Sequence, residues 1–124
     1  MLDNFDRFNS SHDWIFDGYS ADSRGSAVYL ELVSDDFKEH KTIVFMDVTR
    51  CLVTEYGMEN IVYSLDILVD FDSPKFMAAR QILDRSTPFD RGLSPKKIAV
   101  LSASFGGEAW IEYSTYRVLS KNPG

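Results

Sequence analysis

The chain has 124 residues, enough for one domain over 1–124 and too few for two ordinary ones. Its 44% hydrophobic content, with 9 Phe, 6 Tyr and 2 Trp, supplies one core and argues against disorder, which goes with few aromatic residues. The net charge of −6 divides unevenly, with 15 acids against 5 bases in residues 1–72 (−10) and 4 against 8 in residues 73–124 (+4), and the acidic balance argues against broad affinity for nucleic-acid phosphates.

The single Cys51 cannot form an intramolecular disulfide. Met-Leu-Asp-Asn-Phe-Asp at the start has neither the basic nor the apolar region of a signal peptide. No segment approaches the ~18 consecutive apolar residues of a membrane span. A cytoplasmic protein is expected.

Residues 1–12 are polar, punctuated by Phe5 and Phe8, and read as a short amphipathic turn or a loose arm. His12 to Phe16 begins a strand, ended by Asp17-Gly18. Asp22 to Ser26 is a turn cluster. From Ala27 to Val33 the pattern alternates, with Val28, Leu30 and Leu32 on one face and Tyr29 and Glu31 on the other, as in a half-buried strand. Ser34 to Lys41 is a charged connection. Thr42 to Val53 reads as one longer strand, with Val44, Met46 and Val48 opposite Ile43 and Phe45; it pairs with 27–33 as a hairpin or a neighbour. Glu55 to Asn60 is a loop.

Residues 61–71 fit either a strand, with Ile61, Tyr63, Leu65, Ile67 and Val69 on one face, or a buried helix; the β-branched content favours strand. Ser73-Pro74 is the clearest local signal. Ser at the cap accepts hydrogen bonds from free helical N–H groups, and Pro suits the first turn. Phe76, Ala79, Ile82 and Leu83 follow at helical spacing, which predicts an amphipathic helix over about 74–85. Thr87 to Pro95 is a loop. Lys97 to Phe105 and Ala109 to Leu119 are strands joined at Gly106-Gly107, a C-terminal hairpin whose glycines accept positive φ angles. The expected class is α+β: a mainly antiparallel sheet or small sandwich with one helix.

Chemistry-bearing motifs are sparse. His12, His40 and Cys51 make no HxxxH or CxxC pattern, so no metal and no cofactor are expected. Cys51 is read as a buried, inert mid-strand thiol. His12 beside Asp13 reads better as a strand entry than as an oriented base, because no third group is identifiable. Asp66 and Asp70, placed on a strand face opposite Leu65 and Ile67, read as a solvated side rather than a cation site. Gly106-Gly107 lacks the Lys-Ser or Lys-Thr of a phosphate loop. Arg80, Arg85, Lys96 and Lys97 are too scattered for a nucleic-acid footprint and are expected to pair with acids of the same chain.

What remains is acidic surface. Asp35, Asp36 and Glu39 lie in one connection, Glu55 and Glu59 in a second, and Asp70 and Asp72 before the helix. These seven are the candidate partner-binding residues. Such a field confers ordinary solubility, since acidic surfaces are common, or it steers a basic partner.

Three stretches carry a family resemblance: Ser11-His12-Asp13-Trp14-Ile15, Asn60-Ile61-Val62-Tyr63, and Ser102-Ala103-Ser104-Phe105-Gly106-Gly107-Glu108. Together they resemble small bacterial immunity proteins encoded beside polymorphic toxins, including those of contact-dependent growth inhibition. The resemblance implies a cytoplasmic, non-enzymatic protein that binds one cognate toxin domain, commonly a nuclease, over its active site or at a distance. The matched stretches are structural and carry no binding residue across. Many nuclease toxins are basic to hold nucleic acid, and an acidic inhibitor would be complementary to such a surface. Two other classes stay open. A β-rich ligand-binding or accessory module without a toxin partner would show a closed apolar cavity lined by the aromatic residues. A small enzyme would bring His12 together with Asp13, Asp66 or Asp70 in a cleft.

Overall fold

Residues 14–86 and 95–121 are described in the computed structural model of the chain. They form β1 (Ile15–Asp22), β2 (Ala27–Val33), β3 (His40–Met46), β4 (Arg50–Thr54), β5 (Ile61–Leu68), α1 (Pro74–Ser86), β6 (Lys97–Phe105), β7 (Glu108–Tyr113) and β8 (Thr115–Lys121). His12, Asp13 and most of the 87–95 connection lie outside the described residues.

All eight strands belong to one antiparallel sheet, in the order β4-β7-β6-β5-β1-β2-β3-β8. Among the described residues the middle join is short. β1 meets β5 where Ile15 pairs with Ile61, beside bonds from the Phe16 amide to the Asn60 carbonyl (2.8 Å) and from the Val62 amide to the Trp14 carbonyl (2.7 Å). The sheet thus divides into two four-stranded halves that share one core. Phe16, Leu30, Leu32, Ile43 and Phe45 come from one half; Val62, Leu65, Leu101, Ile111 and Tyr113 come from the other. This is the expected α+β class, an antiparallel sheet folded as a small sandwich with one helix. Burying each large apolar side chain contributes about 1.5–3 kcal/mol before ordering entropy is set against it.

Two chain segments pass from one half to the other side by side. Thr42–Val53 is not one strand: it breaks at Asp47, whose φ of 55° turns the corner between β3 and β4. Ala109–Leu119 likewise breaks at Ser114, between β7 and β8. The breaks are tied together. The Ser114 amide donates to the Met46 carbonyl (3.1 Å), and the Ser114 hydroxyl to Asp47 Oδ2 (2.6 Å). Lys96 Nζ adds a bond to the same carboxylate (3.1 Å), an intrachain pair of the kind expected for the C-terminal bases. The Ser114 bond, then Lys96, holds Asp47 below the usual carboxylate range.

Three further expectations change. Asp17-Gly18 does not end β1; a register shift between Phe16 and Gly18 carries the strand past it. Residues 61–68 are strand, but shifts around Val62 and Ser64 break the predicted face, so that Val62 is buried and Tyr63 exposed. Cys51 is exposed on edge strand β4 rather than buried mid-sheet. Desolvation by its neighbours still pushes the thiol up to about 11, so it is a poor nucleophile at neutral pH.

Helix α1 covers the outer face of the β4-β7-β6-β5 half. Ser73 caps it as predicted: its hydroxyl accepts from the Phe76 amide at 3.1 Å, worth about 1 kcal/mol. Phe76, Ala79 and Leu83 pack on Ile98, with Leu52, Leu68, Val100 and Trp110 around them. Beneath the helix, Arg50 is closed off from water and bonded to both Glu112 oxygens (3.0 and 2.8 Å). It also reaches Asp84 of α1 at 2.6 Å. Burial alone would raise the Glu112 carboxyl, but bonds from Arg50 and Thr49 outweigh it and hold the group below its ordinary range. Among the described residues no helix is long and apolar enough to cross a membrane.

Candidate functional site

Pairing at Ile15 draws two loops together. Ile15 is opposite Val33 on one side and Ile61 on the other. The β2–β3 loop, residues 34–39, and the β4–β5 loop, residues 55–60, therefore flank the start of β1.

The first loop is organised by Ser34. Its amide donates to the Glu39 carbonyl (2.9 Å), its hydroxyl to Asp36 Oδ1 (2.6 Å), and the hydroxyl oxygen accepts from the Glu39 amide (3.0 Å). The Lys38 amide donates to the same Asp36 oxygen at 3.0 Å. The Ser34 bond and then the Lys38 amide keep the Asp36 carboxyl below its usual range. Phe37, at the tip, has φ 63° and leaves 72% of its surface exposed. A left-handed aromatic residue costs about 1–3 kcal/mol, and the ring recovers little of that by burial.

The second loop is organised by buried Asn60. Its Oδ1 accepts from the Gly57 amide (2.9 Å) and the Gly107 amide (2.8 Å), and its Nδ2 donates to the Gly57 carbonyl (2.9 Å). The loop is thereby fastened to the β6–β7 turn. Gly106 in that turn has φ 87°, and a Cβ there would lie 2.6 Å from Asn60 Oδ1. On the other flank, Tyr56 donates to the Asp17 carbonyl (2.8 Å) and packs edge-on against Phe16 and Tyr19. Met58, at the tip, is fully exposed.

Between the loops lies a cleft of about 400 Å³. Ile15 and Ile61 form its apolar floor, Phe37 and Met58 its exposed apolar walls, and Asp17, Asp35 and Glu59 its acidic margin. Residues 34–39 and 55–60 with Asp17 hold six acids against one base, Lys38. Among the described residues, no cation pairs with Asp17, Asp35 or Glu59. No group of three His, Cys, Asp or Glu there is placed to hold a metal ion.

The seven candidate acids separate. Asp35 and Glu59 line the cleft. Asp36 serves its own loop, and Glu39 and Glu55 are exposed at the same end. Asp70 and Asp72 are at the opposite end of β5, roughly 20 Å away at ~3.3 Å per residue. There Asp70 accepts from the Asp72 amide at 3.1 Å, and Asp72 lines a separate groove with Phe71, Met77 and Arg80. Asp70 follows β5 in the turn, so it does not share a strand face with Asp66. Sequence reasoning missed Asp17, Phe37 and Met58. A lone aromatic inside Asp35-Asp36-Phe37-Lys38-Glu39, and a Met set between Gly57 and Glu59, were the signals that could have found the last two.

Comparison of the chain with protein-family models, curated proteins and solved structures finds no match.

Proposed function

We propose that the chain is a non-enzymatic immunity protein that binds and neutralises one basic toxin domain, commonly a nuclease, in the cytoplasm of a bacterium. The observation that carries this reading is the cleft end: two hydrogen-bonded loops present Phe37 and Met58 to solvent beside Asp17, Asp35 and Glu59, which have no cation partner among the described residues. Apolar anchors surrounded by polar groups are the usual anatomy of a protein interface. An acidic margin around them selects a basic partner, speeds its encounter and repels nucleic acid. The remaining acids of that end, Asp36, Glu39 and Glu55, extend the field beyond the cleft. The resemblance of the 11–15, 60–63 and 102–108 stretches to immunity proteins supports the same choice.

Calorimetry with the product of the neighbouring gene tests it. Binding at low salt that weakens as salt is raised is the expected result; absence of binding at low salt overturns the proposal. The alternative, a ligand-binding or accessory module without a toxin partner, draws on one feature. A groove of about 350 Å³ runs beside α1 where the helix meets the sheet, with Ile82, Leu68, Val100 and Trp110 as apolar lining.

A further inference from the structure

Resting on the reading that the cleft end docks a basic protein, we infer that the cleft itself is a socket for one arginine side chain of that partner. Its form matches a long cationic side chain better than a flat charged patch would. An apolar stem lies over Ile15 and Ile61, between Phe37 and Met58, while a charged head reaches the margin. Long basic side chains bury their stems along apolar surface and keep their heads in polar surroundings. Asp35 comes from the first loop, Glu59 from the second and Asp17 from β1 between them.

Competing partners are already committed elsewhere. The Asn60 amide group is spent on Gly57 and Gly107, and the Tyr56 hydroxyl on the Asp17 carbonyl. The carboxylates of Asp17, Asp35 and Glu59 have no internal cation among the described residues. A bare metal ion is a poorer fit, because these groups stand around the margin and do not converge as ligands. Arginine is favoured over lysine for two reasons. Its planar fork of five donors can serve carboxylates on different sides at once. Its guanidinium also stacks on an aromatic face, here the exposed ring of Phe37.

The test is an NMR titration of the full chain, isotope-labelled, with three short blocked peptides: acetyl-Gly-Arg-Gly-amide, its citrulline counterpart and its lysine counterpart. Citrulline keeps the shape of arginine and loses the charge. The arginine peptide is expected to move the Ile15, Ile61 and Met58 methyl signals saturably, with an affinity in the millimolar range, as befits a ligand of few atoms. Asp35→Asn and Glu59→Gln, both at the surface, are each expected to weaken it about tenfold or to undetectability, in line with loss of a charged hydrogen bond. Citrulline is expected to bind at least about tenfold more weakly on the same ground. No movement of these methyls, or equal effects from citrulline, overturns the socket. Equal effects from lysine overturn the arginine assignment. If the calorimetric partner binds and the arginine peptide does not, the socket fails and the docking reading stands. If the peptide binds and no protein partner does, the docking reading fails, and with it the assignment of the cleft to a partner's arginine.

Discussion

Under α1, Arg50 is shut away from water and meets Glu112 and Asp84 at 2.6–3.0 Å. At the cleft end, Asp17, Asp35 and Glu59 have no cation among the described residues, and two large apolar side chains stand in solvent beside them. Both regions carry Asp and Glu carboxylates. Under the helix each charge is answered within the chain, and the ion cluster joins α1 to β4 and β7. At the cleft end the side chains of Ser34, Asp36, Asn60 and Tyr56 are hydrogen-bonded into the loops, while the cleft carboxylates meet no cation among the described residues. Exposed carboxylates and apolar tips held on shaped loops are what the proposed docking of a basic partner would use.

The largest effect is expected in the buried cluster. Glu112→Ala leaves Arg50 closed off with the part-exposed Asp84 as its remaining partner, and should cost up to about 3–5 kcal/mol in denaturant unfolding. Replacing Arg50 and Glu112 together by Met and Leu should cost far less, because no lone charge is then buried. The pH dependence follows from sign. The Glu112 carboxyl is held below its ordinary value of 4.5 in the folded chain. Its contribution is therefore present above that ordinary value and is lost as pH falls through the lower folded one. Glu112→Gln should flatten this part of an acid-unfolding curve.

The anchors come next. Phe37→Ser and Met58→Ser should each weaken partner binding by about 2 kcal/mol or more if they are interface anchors. Stability should change by no more than about 0.5 kcal/mol, since both side chains are exposed. An equal loss of stability and affinity would place them on the structural side of the comparison. Smaller again, Asp35→Asn with Glu59→Gln should slow association about tenfold at low salt and little at high salt, read by stopped-flow mixing. Asp70→Asn and Asp72→Asn, at the other end of β5, should leave association unchanged.

The smallest effect is expected at Tyr113. Its ring is fully buried, its hydroxyl has no hydrogen-bond partner among the described residues, and burial raises the phenol well above its usual range. Tyr113→Phe removes an unsatisfied group. It should be neutral or stabilising by up to about 1 kcal/mol in thermal unfolding, whereas a loss beyond that would show that the hydroxyl is satisfied.

Where structure follows from neighbouring residues, the sequence was readable. The alternation of 27–33, the Ser73-Pro74 cap and the Gly106-Gly107 turn each act within a few positions, and β2, α1 and the β6–β7 hairpin lie where they point. The corners at Asp47 and Ser114 were not readable, because apolar alternation continues through a strand that bends without a Gly or Pro. The shift around Val62 was hidden for a similar reason: one extra residue reverses every later face. The seven acids were visible individually. Their division between two ends of β5 depends on β1 pairing with β5, a contact between residues 46 positions apart that local pattern does not encode.

Hydrogen exchange of the full chain, with and without the neighbouring gene's product, tests the docking surface most directly. Protection gained at residues 34–39 and 55–60, with the 69–73 turn and α1 unchanged, is the predicted result. Protection confined to α1 and β4, with the two loops exchanging as before, would contradict it.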